Sequence, residues 1–457
     1  MNTPLSPEVE VLVKNRNELA TTALRERAVT IIEAGIERVL PGNIMQSALS
    51  YDPVSKSFRV KDATYHVTGG RIFVIGGGKA AGLMAEALED ITGAENIHTG
   101  VVNCKSRDYR TKKIKVVGAG HPIPDKRGLN GVKQMLALKE EYSINENDLV
   151  VCLLSGGGSA LMPCPVDGVS LGDKQRTTEL LLKCGADIHE INAVRKHLSK
   201  IKGGGLGEFY SPIKVVSLII SDVIGDDLDV IASGPTYPDC STFRDAHGIL
   251  EKYDLIPKTP QSVIAYLKRG CCGDVAETPK TLTNCDNHII GNNCLALKAM
   301  AGKARELGFA PYVITSEQNG DTAEAAITRA REIIEGKYPG YNAILLGGET
   351  TPKLPERAGK GGRNQHYAAV SMVAMKAYPG KWVAASVGTD GSDYLPDVAG
   401  AIVDNDTLYR ATARGIEVQA YIDKFDSNTL FRKIGKALVI TGNTGTNVSD
   451  VMLYLLG

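Results

Sequence analysis

Short unbroken apolar runs alternate along this chain with stretches whose apolar residues recur every three or four positions. Runs at Arg71–Ile75, Thr99–Val102, Ile114–Val117, Leu149–Leu154 and Lys214–Ile220 read as strands buried on both faces. Helical spacing fills the intervals, at Ala80–Leu88, Leu129–Tyr142, Gln175–Cys184 and Glu190–Lys202. Asp187 and Glu190 form a capping-box pattern before the last of these. Strands separated by helices of this length pair in parallel, because a parallel neighbour needs a crossover. An opening helix or helix pair is expected over residues 8–40, ended by Pro41-Gly42, and a small hairpin over residues 43–67. A polar, loosely helical excursion from Tyr237 to Asn287 precedes a domain boundary, after which strands are expected at Ala343–Leu346, Trp382–Val387 and Ala437–Ile440.

Six strands end in glycine with a charged or hydroxyl residue. The run Leu149–Leu154 breaks into Ser155, Gly156, Gly157, Gly158 and Ser159, a turn whose bare N–H groups can converge on an anion. Arg71–Ile75 runs into Gly76, Gly77, Gly78 and Lys79, which places a lysine where a helix begins. The strand ending at Ile220 delivers Asp222, whose hard oxygens suit Mg2+ on nucleotide phosphates. The later exits carry Glu349, Asp390 and Asn447. Ligands of open α/β sheets bind outside the carboxyl ends of strands, so these turns are expected to line one cleft. Structural alternatives stand beside each: a tight exit without ligand, a solvated Lys79, or, for Arg195 and the nearby lysines, simple complementarity to a helix dipole. Arg363 lies in Gly359–His366, read as a flexible loop that brings a planar cation to an anion. His121, in a Gly/Pro-rich loop, is open to either a substrate or a structural role.

Composition removes several classes. At 457 residues the chain predicts two or three domains. Lys plus Arg balance Asp plus Glu at 52 each, which excludes the basic footprint of a nucleic-acid binder and points to a small-molecule partner. Nine cysteines without a Cys-x-x-Cys pair indicate neither a zinc site nor a disulfide framework, and reduced thiols fit the cytoplasm. No signal peptide or membrane span is expected. Gly76-x-Gly78-x-x-x-Gly82 is off the dinucleotide spacing, and the next strand ends in Asn103-Cys104-Lys105 with no acid for a ribose.

Eight ordered motifs then carry a resemblance. Lys79 in Gly-Gly-Gly-Lys-Ala-Ala, Ser155–Leu161, Ile191–Gly204, Ser221–Asp227, Gly347–Thr351, Gly361–Gln365, Gly388–Gly391 and Thr444–Val448 are together similar to the MOFRL-type glycerate 2-kinase family, from about Ala20 to the C-terminus. The resemblance implies an α/β fold of two α/β domains with a cleft between them. The larger is an N-terminal Rossmann-like α/β/α sandwich with a mostly parallel sheet, at residues 1–285. The smaller is a C-terminal MOFRL-type α/β domain, at 286–457. It implies ATP-dependent phosphorylation of D-glycerate to 2-phosphoglycerate, with ATP and Mg2+ or another divalent cation, and it is compatible with a homodimer. Lys79 and Arg363 are the functional residues by this resemblance, with Asp222 or Asp390 as base or metal partner. Gly77, Gly78, Ser155–Ser159, Arg195, Glu349, Asn364 and Asn447 are expected to bind substrate or nucleotide. Two departures, Ser392-Asp393-Tyr394-Leu395-Pro396-Asp397 after Gly388–Gly391 and Asn443 where proline is usual, bear on the acceptor. An NAD(P)H-dependent hydroxypyruvate reductase and a non-catalytic sugar-phosphate-binding protein are the rival readings.

Overall fold

The computed structural model describes residues 11–67 and 69–457. Residues 8–10 of the expected opening helix lie outside the described residues. The chain divides into two compact units, one of residues 41–291 and one that joins the segment before residue 41 to residues 292–457.

The first unit opens with a helix, Pro41–Ala48, and a three-stranded antiparallel meander of β1 (Leu49–Asp52), β2 (Ser57–Val60) and β3 (Ala63–His66), where only a hairpin was expected. Its main sheet contains β4 (Ile72–Gly77), β5 (Ile97–Cys104), β6 (Ile114–Gly118), β7 (Leu149–Ser155), β8 (Lys214–Ile220) and β9 (Cys285–Gly291). They lie in the order β6-β5-β4-β7-β8-β9, every pair parallel. β4 and β7 are buried at every position, as continuous apolar runs require. The chain works outward from β4 through β5 and β6, then returns to the other side of β4 with β7. That reversal opens a crevice at the carboxyl ends of β4 and β7, the topological switch point of a doubly wound sheet. The capping box at Asp187 and Glu190 forms, but its helix is Ile188–His197, so Lys200 and Lys202 lie beyond it rather than in its last turn. The excursion after Tyr237 forms helices Phe243–Lys252 and Gln261–Cys271, which share an apolar cluster with Ile191, Val194 and Leu198.

In the second unit β10 (Pro311–Val313), β11 (Ala343–Gly348), β12 (Trp382–Gly388), β13 (Gly400–Asp404), β14 (Leu438–Val439) and β15 (Asp450–Leu456) form a mixed sheet, β10-β11-β15-β12-β13-β14. β15 runs antiparallel between β11 and β12. Its first residue, Asp450, therefore lies beside the last residues of both neighbours, Gly348 and Gly388.

The expected division at residue 285/286 is corrected at both ends. β9 completes the parallel sheet and carries the first unit to Gly291. Residues 11–40 belong with the C-terminal residues instead. Helix Ala23–Arg38 buries Ile31, Ile32 and Ile36, and its Gly35 leaves room for Met300, whose Cγ would lie 2.5 Å from an added Cβ. Arg25, fully buried on the same helix, pairs with Asp404 at 3.3 Å and donates to the Leu19 carbonyl at 2.7 Å. A buried cation satisfied by β13 ties this segment to that sheet, since an unpaired charge could not be left there. Among the described residues no helix is long and apolar enough to cross a membrane.

Candidate active site

At the switch point the two glycine turns are joined by hydrogen bonds. The Lys79 N–H donates to the Gly156 carbonyl at 2.8 Å, and the Ala80 N–H donates to the Ser155 hydroxyl at 3.0 Å. Ser155 is buried, so its hydroxyl serves the turn beside it. Beyond Ser155 a short helix, Gly158–Leu161, begins after Gly157, whose φ of +78° is left-handed. None of the N–H groups of Gly157, Gly158 and Ser159 donates to a backbone carbonyl among the described residues. Such groups are obligatory donors, so they can serve an anion.

Around the turn stand three side chains. A Cβ at Gly156 would lie 1.9 Å from Asp222 Oδ2, so the Asp222 carboxylate lies directly over Gly156. A Cβ at Gly157 would lie 2.9 Å from the His121 ring and 3.1 Å from Lys79 Cγ. Lys79, part-exposed, forms no ion pair among the described residues. Burial, and then the cations of Lys79 and Lys105, push the His121 imidazole down to about 4, so it is neutral at pH 7. Arg195, part-buried, has a guanidinium without a carboxylate partner among the described residues, and burial alone lowers its pKa. Its helix is tied to the turn through Asn192, which accepts from Ser233 at 3.0 Å while Ser233 meets Ser159 at 2.7 Å.

The second unit holds a different arrangement. Arg363 is the first residue of helix Arg363–Ala374, not part of a flexible loop. Its Nε and Nη2 donate to the two oxygens of Asp450 at 2.5 and 3.0 Å, and Nη1 pairs with Glu349 at 2.7 Å. Against its burial, the carboxylates of Asp450, Glu349 and Asp393 hold its pKa above the ordinary arginine value. Asp393 caps the helix, accepting from the Asn364 N–H at 2.9 Å and the Gln365 N–H at 2.8 Å. Burial pushes the Asp393 carboxyl up to about 6 in spite of those bonds, with Asp450 adding to the rise. Asn364 is fully engaged: its amide donates to Asp450 at 3.0 Å and its oxygen accepts from Ser386 at 2.5 Å. Asp390 accepts from the Ser392 N–H at 2.9 Å and hydroxyl at 3.0 Å through one oxygen. The Ser449 N–H donates to the Asn447 side chain at 3.2 Å.

Two family models match the chain: Domain of unknown function (DUF4147) over residues 27–268 and the MOFRL family over residues 342–450. A glycerate 2-kinase of Pyrococcus horikoshii is 41% identical over 94% of this chain and 98% of its own length. The chain belongs to the MOFRL-type glycerate 2-kinase family. The crystal structure of the glycerate kinase from Thermotoga maritima superposes on this family member with a TM-score of 0.83 at 38% identity, covering 95% of this chain and 100% of that one. An Agrobacterium vitis relative that carries a hydroxypyruvate reductase name is 36% identical over 85% of this chain and 100% of its own length.

The structure thus brings Lys79, Gly156–Ser159 and Asp222 together in one unit, and Glu349, Arg363, Asn364 and Asp390 around Asp450 and Asp393 in the other. His121, Lys202, Asp393 and Asp450 carry contacts that the strand-exit reading did not assign. Asp450 had a signal: the terminal run Val451–Leu456 is a buried strand, and Asp450 is its first residue.

Proposed function

We propose that this chain transfers the γ-phosphoryl group of ATP to the 2-hydroxyl of D-glycerate, giving 2-phosphoglycerate and ADP. The observation that carries this reading is the pair of stitched glycine turns at the switch point. There unpaired N–H groups and the Lys79 side chain meet at one place fit for a polyanion. Phosphoryl transfer needs positioning and charge stabilisation more than covalent chemistry. The N–H groups of Gly157–Ser159 hold ATP phosphates, and Lys79 balances charge on the transferred group. The two turns enter the seat as backbone, with Gly78 against Ser155 and Gly77 against Met162 and the Asn103 carbonyl. In the second unit Arg363, whose Nη1 pairs with a Glu349 side chain 45% exposed, is the candidate group for a carboxylate or phosphate. Asp390 in the same unit, one oxygen of which takes both Ser392 bonds, is the candidate base for a substrate hydroxyl.

A divalent cation fits the first unit. Asp222 supplies a carboxylate over the phosphate seat, and Mg2+ is commonly held by one or two carboxylates with phosphate oxygens and water. Bound there, the ion offsets phosphate charge. The metal-capable trio found among the described residues, Asp229, Asp239 and Cys240, is a poorer seat, because the Lys196 ammonium already bonds both carboxylates. The chain operates as a soluble cytoplasmic enzyme on this reading, and self-association as a homodimer is compatible with it.

A nicotinamide reductase needs an acid at the end of the strand beside β4. That strand, β5, ends at Asn103 and Cys104, and the Asn103 amide is spent on the Gly128 and Leu161 carbonyls at 2.8 Å each. Incubation with ATP and D-glycerate, coupled through enolase without a mutase, reports 2-phosphoglycerate alone. Formation of 3-phosphoglycerate instead, or NADH oxidation with hydroxypyruvate and no ADP, overturns the proposal.

A further inference from the structure

Behind the glycine turn runs a chain of polar side chains that substrate contact does not account for. Lys202 is 1% exposed, and its Nζ donates to the Ser159 carbonyl at 2.9 Å, the Ser159 hydroxyl at 3.0 Å and the Ala232 carbonyl at 3.4 Å. An ammonium has three hydrogens, and here none of its acceptors is a carboxylate. Ser159 Oγ lies 2.7 Å from Ser233 Oγ, and the Ser233 hydroxyl donates to Asn192 Oδ1 at 3.0 Å. A hydroxyl has a single hydrogen. Ser233 gives its own to Asn192, so Ser159 gives its own to Ser233 and receives one from Lys202. The chain runs in one direction, from Lys202 through Ser159 and Ser233 to Asn192. It consumes the Ser159 hydroxyl and leaves that residue only its N–H to offer a ligand.

This arrangement is held against two opposing costs. Ala232 and Ser233 have φ of +52° and +62°, where a side chain is strained. The Lys202 amine is also taken from water without a counter-ion. Its charged neighbours make that worse: Lys174 Nζ donates only to the Arg195 and Leu198 carbonyls, at 3.2 and 3.0 Å, and Arg195 has no carboxylate partner among the described residues. Lys174, Arg195 and the Cys164 thiol are the titratable groups acting on Lys202, and burial followed by the two cations holds its amine well below the ordinary lysine range. Lys174 and Arg195 act on Lys202, and none of the three has a carboxylate partner among the described residues.

We propose that Lys202 is a positioning residue for the nucleotide. It fixes Ser159, and with it the N–H groups of the turn, and the anion that completes Lys174, Arg195 and Lys202 is a phosphate of ATP at that turn. The proposal rests on the phosphoryl-transfer reading above.

Calorimetry of ADP binding to the full-length enzyme and steady-state kinetics read the positioning. Lys202→Met weakens ADP binding and lowers kcat/KM for ATP by about 10–100-fold, the range for groups that hold a ligand-binding group in place, while KM for D-glycerate stays within about twofold. Ser233→Ala moves ATP kinetics in the same direction, and it carries the test if Lys202→Met does not fold. Unchanged ATP kinetics in a folded Lys202→Met, unchanged ATP kinetics in Ser233→Ala, or an equal rise in KM for D-glycerate, overturns the proposal. Absence of turnover in the wild type sinks the kinase reading instead.

Discussion

Arg363 is the residue where a kinetic defect and a folding defect are most easily confused. Asp450 has no exposed surface, whereas the Arg363 side chain is 32% exposed. Arg363→Ala removes both charged donors and leaves the Asp450 carboxylate with the Asn364 amide at 3.0 Å, beside a second buried carboxyl at Asp393. Removing one partner of a fully buried ion pair costs ~3–5 kcal/mol. Water reaches Arg363 and screens part of that, so the expected loss is ~2–3 kcal/mol. For a unit of this size that lowers the melting temperature by roughly 5–10 °C. Arg363→Ala combined with Asp450→Asn removes the stranded charge, so most of the melting temperature returns while turnover stays low. Differential scanning calorimetry and the enolase-coupled assay, run on both single variants and the double, separate the two effects. A single variant that melts within about 1 °C of wild type refutes the buried-charge account. A double variant that recovers turnover along with stability shows that Arg363 serves only to hold Asp450.

Four further outcomes follow from the same geometry. Lys79→Ala lowers turnover by ~10²–10³, the loss for one preorganised donor, with melting unchanged; near-normal turnover removes Lys79 from the reaction. The same variant raises the His121 pKa from about 4, because a cation opposing imidazolium is gone, and histidine NMR titration reads the direction. Gly156→Ala drives a methyl into Asp222 and raises KM for ATP and the Mg2+ requirement; an unchanged Mg2+ requirement argues against Asp222 as metal partner. His366, like His121, is held near 4 by burial, while an unfolded histidine titrates near 6.5. The unfolded chain therefore binds more protons between these values, and each histidine makes stability fall as pH drops from about 6.5 to 4. His366→Phe, which keeps the stack on Phe425, reduces that slope by about one proton in urea titrations, and an unchanged slope counts against a buried neutral His366.

The parallel half of the molecule was legible because its information is local. A strand buried on both faces is a continuous apolar run, and Leu149–Ser155 and Lys214–Ile220 stand almost where the pattern puts them. The glycine turns were legible for the same reason, since the requirement for bare backbone is written in the residues themselves. What the pattern could not carry is partnership across long separations. Arg25 and Asp404, or Arg363 and Asp450, are ordinary charged residues until the fold places them together, and nothing near Arg25 in sequence announces its pairing with β13. The antiparallel insertion of β15 is the clearest case. Reading the second half as a repeat of the first puts every polar strand exit on one edge, with glycine and an acid at each. Inserting one strand the other way brings the start of β15 to that edge, so a carboxylate stands between the exits of β11 and β12 and takes hold of Arg363. The arginine that looked free to meet a ligand is thereby fixed in orientation and half neutralised. What it can contribute to a bound anion is the part of its charge that Glu349 gives up.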